Sequence, residues 1–111
     1  MGSGMKRVSA FFYATPSGRE PVREWLLSLE RTSRREIGLS LMTLEFGWPI
    51  GMPLSRSMRQ GLHELRVELA GHRSARVFFY VDRAQRLILL HATLKKSKTT
   101  AKSDLDLARF A

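Results

Sequence analysis

The chain has 111 residues, no cysteine, 43% hydrophobic residues and a formal net charge of +9 at pH 7. This length and apolar content suffice for one hydrophobic core, so a single folded domain is expected. Disulfides and cysteine-ligated zinc are excluded, and the 3 histidines are too far apart in sequence to suggest a metal cluster. No apolar run approaches the ~20 residues that cross a bilayer, and the N-terminus lacks the apolar core of a signal peptide, so we expect a cytoplasmic protein.

Most of the positive charge lies in one stretch of the chain. Residues 56–102 carry 11 basic and 3 acidic side chains, whereas residues 1–55 carry 7 and 5. A positive potential of this size favours a polyanionic partner, which could be RNA, DNA, an acidic protein or an anionic membrane. Charge of this kind can also serve solubility alone, so by itself it does not choose a function.

The chain begins with a short segment outside the expected fold and a first strand. Residues 1–4 resemble a vector remnant ahead of a second possible start, so the single domain is taken as residues 5–111. Residues 8–14 are aromatic and apolar and end before turn-forming residues at 15–18, which predicts a strand.

Two helices are predicted next. A capping box at residues 17–20 and a tolerated proline at Pro21 predict a helix over about residues 19–30. Its apolar face carries Val22, Trp25, Leu26 and Leu29. A second capping pattern at residues 33–36 predicts a helix that ends at Phe46-Gly47. Its apolar stripe consists of Ile37, Leu41, Met42 and Leu44. The short link between the helices predicts an antiparallel hairpin that covers one side of a sheet.

The second half of the chain predicts an antiparallel sheet. Residues 47–54 contain two prolines and two glycines and are expected to form an irregular, apolar loop. Residues 62–69 alternate in polarity, and residues 75–81 and 87–94 follow after tight turns, which together predict a three-stranded meander. A basic loop and a short helix from residue 103 complete the order β-α-α-β-β-β-α, an α+β fold.

The alternation in residues 62–69 separates two faces of its strand. Glu64, Arg66 and Glu68 lie on the face expected to be exposed to solvent. The face expected in the core carries His63, Leu65, Val67 and Leu69. The second side of the sheet is therefore expected to be open and polar.

Five segments in this order resemble the RelE/HigB toxins of bacterial toxin–antitoxin systems, most closely the phage-derived HigB-like branch. They are residues 21–26, 46–54, 62–66, 75–80 and 89–96. The resemblance implies a RelE-like fold, with a small mainly antiparallel sheet and the helical hairpin on one face. It also implies a ribosome-dependent, metal-independent mRNA endoribonuclease that inhibits translation, needs no cofactor and is held inactive by a cognate antitoxin with a helix-turn-helix domain.

Cations are the residues that such chemistry needs most. Metal-free RNA cleavage uses the 2′-hydroxyl as nucleophile, and charge builds on the phosphorane during the reaction. Arg66 and Arg76 lie on adjoining predicted strands, and the turn at residues 70–73 is expected to bring them near each other. Both match the positions of the family's catalytic cations, and Lys96 matches a third. The remaining RNA-binding residues are expected to be Arg73, His91, Lys95 and Lys98. Without the resemblance, the arginines and lysines would be interpreted as solvated surface residues and His91 as a hydrogen-bonded core residue.

The general base is not assigned by the sequence. The family often places a tyrosine or histidine in the C-terminal segment to activate the 2′-hydroxyl, and residues 97–111 contain neither. His63 has the parity of the core face, His72 belongs to a turn, and His91 shares its parity with Lys95.

Several aromatic and apolar residues have two interpretations. Phe78 and Tyr80 could stack on an RNA base or pack in the core, and Trp48 and Met52 could close the core or contact a partner. Two other functions also stay open. One is a ParE-like toxin that poisons gyrase without cutting RNA, and the other is a basic RNA-binding module.

Overall fold

The structure, a computed structural model, describes residues 4–96 and 102–111 and contains one five-stranded sheet with three helices in that part of the chain. The elements in chain order are β1 (Ser9–Phe12), α1 (Pro21–Ser28), α2 (Arg31–Gly47), β2 (Ser55–Ser57), β3 (His63–Leu69), β4 (Arg73–Val81), β5 (Arg86–Lys95) and α3 (Lys102–Arg109). The strand order is β1-β5-β4-β3-β2, with β1 parallel to β5 and the other neighbours antiparallel. The predicted α+β fold and its meander are confirmed.

The main core lies between the helical hairpin and one face of the sheet. Helix α1 packs against β5 and α2 against β3, as their apolar stripes predict. Val22, Ile37 and Leu44 are buried from the helix side. The strands contribute mainly Val8, Leu65, Val67, Ala75, Val77, Phe79, Leu87, Leu89 and Ala92.

Both predicted capping boxes are wrong. Helix α1 begins at Pro21, and the residue before it, Glu20, makes no capping hydrogen bond through its side chain. Helix α2 begins at Arg31, two residues before the predicted cap, and the Ser33 hydroxyl instead donates to Glu30 Oε1 at 3.3 Å. The proline already has the φ angle of a first helical turn, so α1 starts there without a capping side chain.

Strand β2 is not predicted by the sequence. Its residues, Ser55–Ser57, are three in number and polar, so they give no measurable alternation. The strand exists because it pairs with β3, where Arg56 lies opposite Glu64. Its formation therefore depends on tertiary structure.

Helix α3 covers part of the sheet face that was expected to be open. Its Ala108 is buried and Leu105 is half-buried. They pack with Leu62, Phe78, Leu90, Tyr13, Met58 and Ile88 in a second, smaller apolar cluster. The face is therefore apolar where α3 docks and polar beyond it.

The outer side of α2 carries an apolar stripe that faces solvent. Met42, predicted to be buried, is 50% exposed, and Leu39 and Phe46 lie on the same side of the helix with 47% and 39% exposure. Within the described residues, no helix has both the length and the apolarity that a membrane crossing requires.

Candidate functional site

The sheet face opposite α1 and α2 carries three rows of residues that are polar except for Phe78, and we call it the arginine face. Strand register places residues of β3, β4 and β5 side by side in each row, and the first row also includes a residue of β2. The rows are Arg56, Glu64, Phe78 and His91, then Arg66, Arg76 and Thr93, then Glu68, Ser74 and Lys95. The predicted proximity of Arg66 and Arg76 is confirmed, because they lie directly opposite each other across β3 and β4.

Glu64 is the buried anion around which the arginines of this face are arranged. Its side chain has 0% exposure and lies 3.5 Å from Arg76 Nη1, 3.7 Å from Arg66 Nε and 3.5 Å from Arg56 Nη2. Arg76 Nε also donates to the Ser74 hydroxyl at 3.0 Å. The prediction that Glu64 is a solvated residue is therefore wrong.

Arg66 and Arg76 differ sharply in their access to solvent. The Arg76 side chain is 1% exposed and that of Arg66 is 17% exposed, so the interpretation of Arg76 as a surface cation is wrong. The Arg76 guanidinium lies under the face, where Glu64 and Ser74 hold it. Arg66 is the member of the pair that a ligand can reach directly.

The carboxylate of Glu64 makes this close arginine pair possible. Two guanidinium groups on directly opposite strand positions repel each other, and a buried carboxylate between them offsets the repulsion. The cluster nevertheless keeps an excess of positive charge, because Glu64 contacts three arginines. Beside Arg66, an open depression of about 390 Å³ is lined by Met52, Pro53, Leu54, Arg66 and Glu68. The depression therefore offers a ligand one guanidinium, one carboxylate and three apolar side chains.

A second polar cluster joins β5 to α3. His91 Nε2 lies 3.1 Å from Asp104 Oδ1, and Lys95 Nζ lies 2.5 Å from Asp104 Oδ2. Burial alone would raise the pKa of Asp104, but hydrogen bonds from Lys95 and His91 outweigh it and hold that pKa below its ordinary value. Asp104 is therefore a carboxylate at neutral pH that binds two cation-forming side chains.

A β-bulge in β5 gives His91 its orientation. Phe78 pairs with His91 and Phe79 pairs with Leu89, so Leu90 is the extra residue of the bulge. Without this extra residue, alternation would turn His91 toward the helices. The ring instead stacks on Phe78, with centroids 5.9 Å apart and an interplanar angle of 18°.

The other predicted cations are distributed over different surfaces. Lys96 follows the last residue of β5 and is exposed, and the lysine on the arginine face is Lys95. Arg73 has the parity of the core-facing residues of β4 and donates to Glu30 Oε1 at 2.9 Å, which holds the pKa of Glu30 below its ordinary value. Lys98 lies outside the described residues.

The histidine and aromatic predictions have mixed outcomes. His63 packs between Trp48 and Phe79, with ring centroids 4.9 Å and 5.4 Å away, and burial lowers its pKa, so it is a neutral core residue as expected. His72 lies in the β3–β4 turn with φ of 58°.

The aromatic residues with two interpretations also differ in burial. Phe78 is fully buried, whereas Tyr80 is 39% exposed. Trp48 packs against the main core and closes it. Met52 is exposed and lines the depression beside Arg66.

Comparison with known families gives the decisive match. The profile of the phage-derived protein Gp49-like family (DUF891) matches residues 24–110. The chain belongs to this family. Gp49-like proteins are related to the toxins of toxin–antitoxin systems. Among curated proteins, no sequence matches the chain.

The Gp49-like match includes both polar clusters of the arginine face. It runs from within α1 to the residue after α3, so it contains Glu64 with its arginines as well as Asp104 with His91 and Lys95. Strand β1 lies before the matched region. The site is thus formed by the part of the chain that defines the family.

Acid should weaken the attachment of α3 to this Gp49-like sheet. Because the folded-state pKa of Asp104 is lowered, its ion pairs stabilise the fold above the unfolded-state pKa of about 3.9, and this stability is lost as pH falls through the lower folded value. We expect Asp104→Asn to lower the free energy of unfolding by on the order of 1 kcal/mol at neutral pH and by less near pH 3. Urea unfolding at a series of pH values measures this, with Asp106→Asn on the same helix as control. An equal loss at every pH would contradict it.

Proposed function

We propose that this Gp49-like protein is the toxin of a type II toxin–antitoxin system and inhibits translation by cleaving mRNA on the ribosome as a metal-independent endoribonuclease. The observation that carries the proposal is the facing pair of Arg66 and Arg76, which is held on buried Glu64 and has its exposed member beside an open depression. Fixed guanidinium groups of this kind suit a phosphate on which negative charge increases during the reaction.

The two arginines have different roles in this proposal. Arg66 contacts the scissile phosphate, because it combines partial exposure with a fixed position opposite Arg76. Arg76 acts from below as a positioning residue, since its side chain is buried and bound to Glu64 and Ser74. Neither is a proton acceptor, because a guanidinium stays protonated at physiological pH. Arg66 therefore binds the phosphate and stabilises the transition state, and Arg76 holds Arg66 and Glu64 in place.

The lysine of the site can be identified by comparing two neighbours. Lys95 lies on the arginine face within an ion pair to Asp104, whereas Lys96, the residue favoured by the resemblance, follows the strand and is exposed. We expect Lys95→Ala to reduce cleavage about tenfold and Lys96→Ala to reduce it less, although both remove one charge. Cleavage of ribosome-bound mRNA by the two purified, folded variants measures the difference. A larger loss for Lys96→Ala would return that residue to the catalytic set.

The partner of such a toxin is proposed to be a cognate antitoxin with a helix-turn-helix domain. The exposed stripe of Leu39, Met42 and Phe46 supports a protein partner, because apolar side chains at helical spacing form one continuous patch on the outside of α2. This stripe lies on the hairpin side of the sheet, opposite the arginine face. A protein bound there would leave the arginine face uncovered.

The test of the proposal is whether cleavage requires the ribosome. Message in a purified translation system should be cut when it is engaged by ribosomes, and the same RNA without ribosomes should stay intact, because the proposed substrate is positioned by the ribosome. Primer extension on both samples measures the outcome. Equal cutting of naked RNA would contradict ribosome dependence, and no cutting in either sample would contradict the nuclease.

A ParE-like toxin without nuclease activity is the second candidate. The burial of Arg76 favours it, because a guanidinium with 1% exposure bound to Glu64 also suits a purely structural role. This candidate predicts growth arrest without mRNA cleavage and inhibition of DNA gyrase. A supercoiling assay with purified gyrase therefore separates the two candidates.

A further inference from the structure

We propose that His91 is the general base that activates the 2′-hydroxyl of the RNA and that Asp104 is the residue that positions it. This assignment rests on the nuclease function proposed above. It places the proton acceptor on β5, while the C-terminal segment supplies only the carboxylate that orients it. The reaction then does not need a tyrosine or histidine from residues 97–111 as its general base.

The position of His91 on the sheet suits this role. Arg76 lies opposite Thr93, and His91 and Lys95 lie two residues to either side of Thr93 on the same face. Both are thus diagonal neighbours of Arg76, at Cα separations of about 7–8 Å. Arg66 is the next residue in the row of Arg76, so the arginine proposed to bind phosphate and the imidazole lie on the same surface, two strands apart, with Arg76 on the strand between them.

The contacts of His91 determine which ring nitrogen can accept a proton. A carboxylate only accepts hydrogen bonds, so at 3.1 Å from Asp104 Oδ1 the Nε2 atom carries the hydrogen of the neutral ring. Nδ1 then carries the lone pair that can accept a proton. The stacking on Phe78 fixes the plane of the ring, and the side chain keeps 22% exposure, so a ligand can reach it.

Among the described residues, charged groups from α3, β5 and β4 lie near the ring. Asp104 from α3 favours the protonated imidazole that forms when the ring takes a proton. Lys95 on β5 and Arg76 on β4 oppose that charge. Lys95 is itself paired with the second oxygen of Asp104, at 2.5 Å, so the two side chains share one carboxylate.

The proposed step is an intramolecular transesterification. His91 Nδ1 takes the proton of the 2′-hydroxyl, the 2′-oxygen forms a bond to phosphorus, and the bond from phosphorus to the 5′-oxygen breaks with its electron pair on that oxygen. The 5′-oxygen takes a proton from water, and the imidazolium returns its proton to the solvent. The products are a 2′,3′-cyclic phosphate and a 5′-hydroxyl, and no oxidant or metal enters the balance.

The same contacts could also serve only to attach α3 to the sheet, so the test needs measurements that a structural role would not change. We would measure single-turnover cleavage of message on programmed ribosomes as a function of pH. The wild-type rate should fall on the acid side of neutrality, because a protonated ring cannot accept the proton. His91→Gly should cleave about 10²-fold or more slowly than wild type, and its activity should recover when imidazole is added. Its rate should also no longer fall on the acid side of neutrality, and we call that fall the acid limb of the pH profile.

Two further variants complete the design. Asp104→Asn should lower the rate, because it removes the carboxylate that fixes the tautomer and orientation of the ring, whereas Asp106→Asn on the same helix should leave the rate unchanged. His91→Gln serves as a second substitution that keeps a side chain over Phe78, with its folding checked by thermal unfolding.

The outcomes separate this assignment from the function on which it rests. Absence of cleavage by the wild-type protein would overturn the nuclease proposal and this assignment together. Wild-type cleavage with an acid limb that persists in folded His91→Gln, or a His91→Gly variant that imidazole does not rescue, would overturn the assignment alone. Loss of the limb with rescue by imidazole would establish it.

Discussion

Replacing Arg66 with alanine is expected to reduce mRNA cleavage by about 10²- to 10³-fold while the protein stays folded. The side chain is partly exposed and is the arginine of the facing pair that a phosphate can reach. Its loss removes a fixed positive charge from the transition state, but Arg56 and Arg76 continue to compensate buried Glu64. Single-turnover cleavage on ribosomes measures the rate, and thermal unfolding checks the fold.

The control for Arg66→Ala must distinguish the loss of a direct contact with phosphate from a decrease in the overall positive potential of the protein. Arg83→Ala removes the same charge from the exposed turn between β4 and β5, seven residues along the chain from Arg76. A diffuse field would make the two variants similar, whereas contact with the phosphate makes only Arg66→Ala severe. Arg66→Lys should recover part of the activity at most, because an ammonium cannot reproduce the planar fork of a guanidinium. Equal losses for the Arg66 and Arg83 variants would remove Arg66 from the site.

Replacing Arg76 with methionine is expected to lower the free energy of unfolding by about 3 kcal/mol. The carboxylate of Glu64 is fully buried, and Arg76 is the most deeply buried of the cations around it. Removing that partner leaves a charge with incomplete compensation in a region of low dielectric. A loss of growth arrest in this variant therefore does not by itself show a catalytic role. Urea unfolding of the purified protein gives the magnitude.

A double substitution separates stability from activity at this position. Glu64→Met/Arg76→Met removes both charges of the buried pair and should cost less stability than the sum of the two single changes. Its activity should still be lost, because Arg66 then lacks the carboxylate and the neighbour that fix it. A stable double variant with wild-type cleavage would show that the buried cluster serves folding only.

The order and type of the main elements could be predicted because they have clear local signals. Alternation at residues 62–69 and apolar spacing in the two helices are local signals of a strand and of helices, and the structure confirms these elements. Strand β2 gave no such signal, because three polar residues form a strand only when β3 is available to pair with them. The burial of Glu64 could not be predicted for a related reason. Alternation assigns the residues of a strand to two faces, but it does not show which face other parts of the chain will cover.

The site itself could be predicted only in part. The proximity of Arg66 and Arg76 followed from a tight turn between two strands, which fixes register over a short distance. The pairing of His91 with Asp104 joins a strand to a helix docked from the end of the chain. A bulge at Leu90 also determines which face His91 occupies. No local pattern encodes such a contact, although an acidic residue early in the last helix was a visible partner for a basic strand.

The most direct test of the central claim is the chemistry of RNA ends in ribosome-bound message. We would incubate programmed ribosomes with the wild-type protein and with Arg66→Ala, and determine both the position of the new ends and their phosphate. The account predicts cuts in ribosome-bound message that carry 2′,3′-cyclic phosphate and 5′-hydroxyl ends with wild type and are nearly absent with Arg66→Ala. Intact message with the folded wild-type protein, or equal cutting by both proteins, would contradict it.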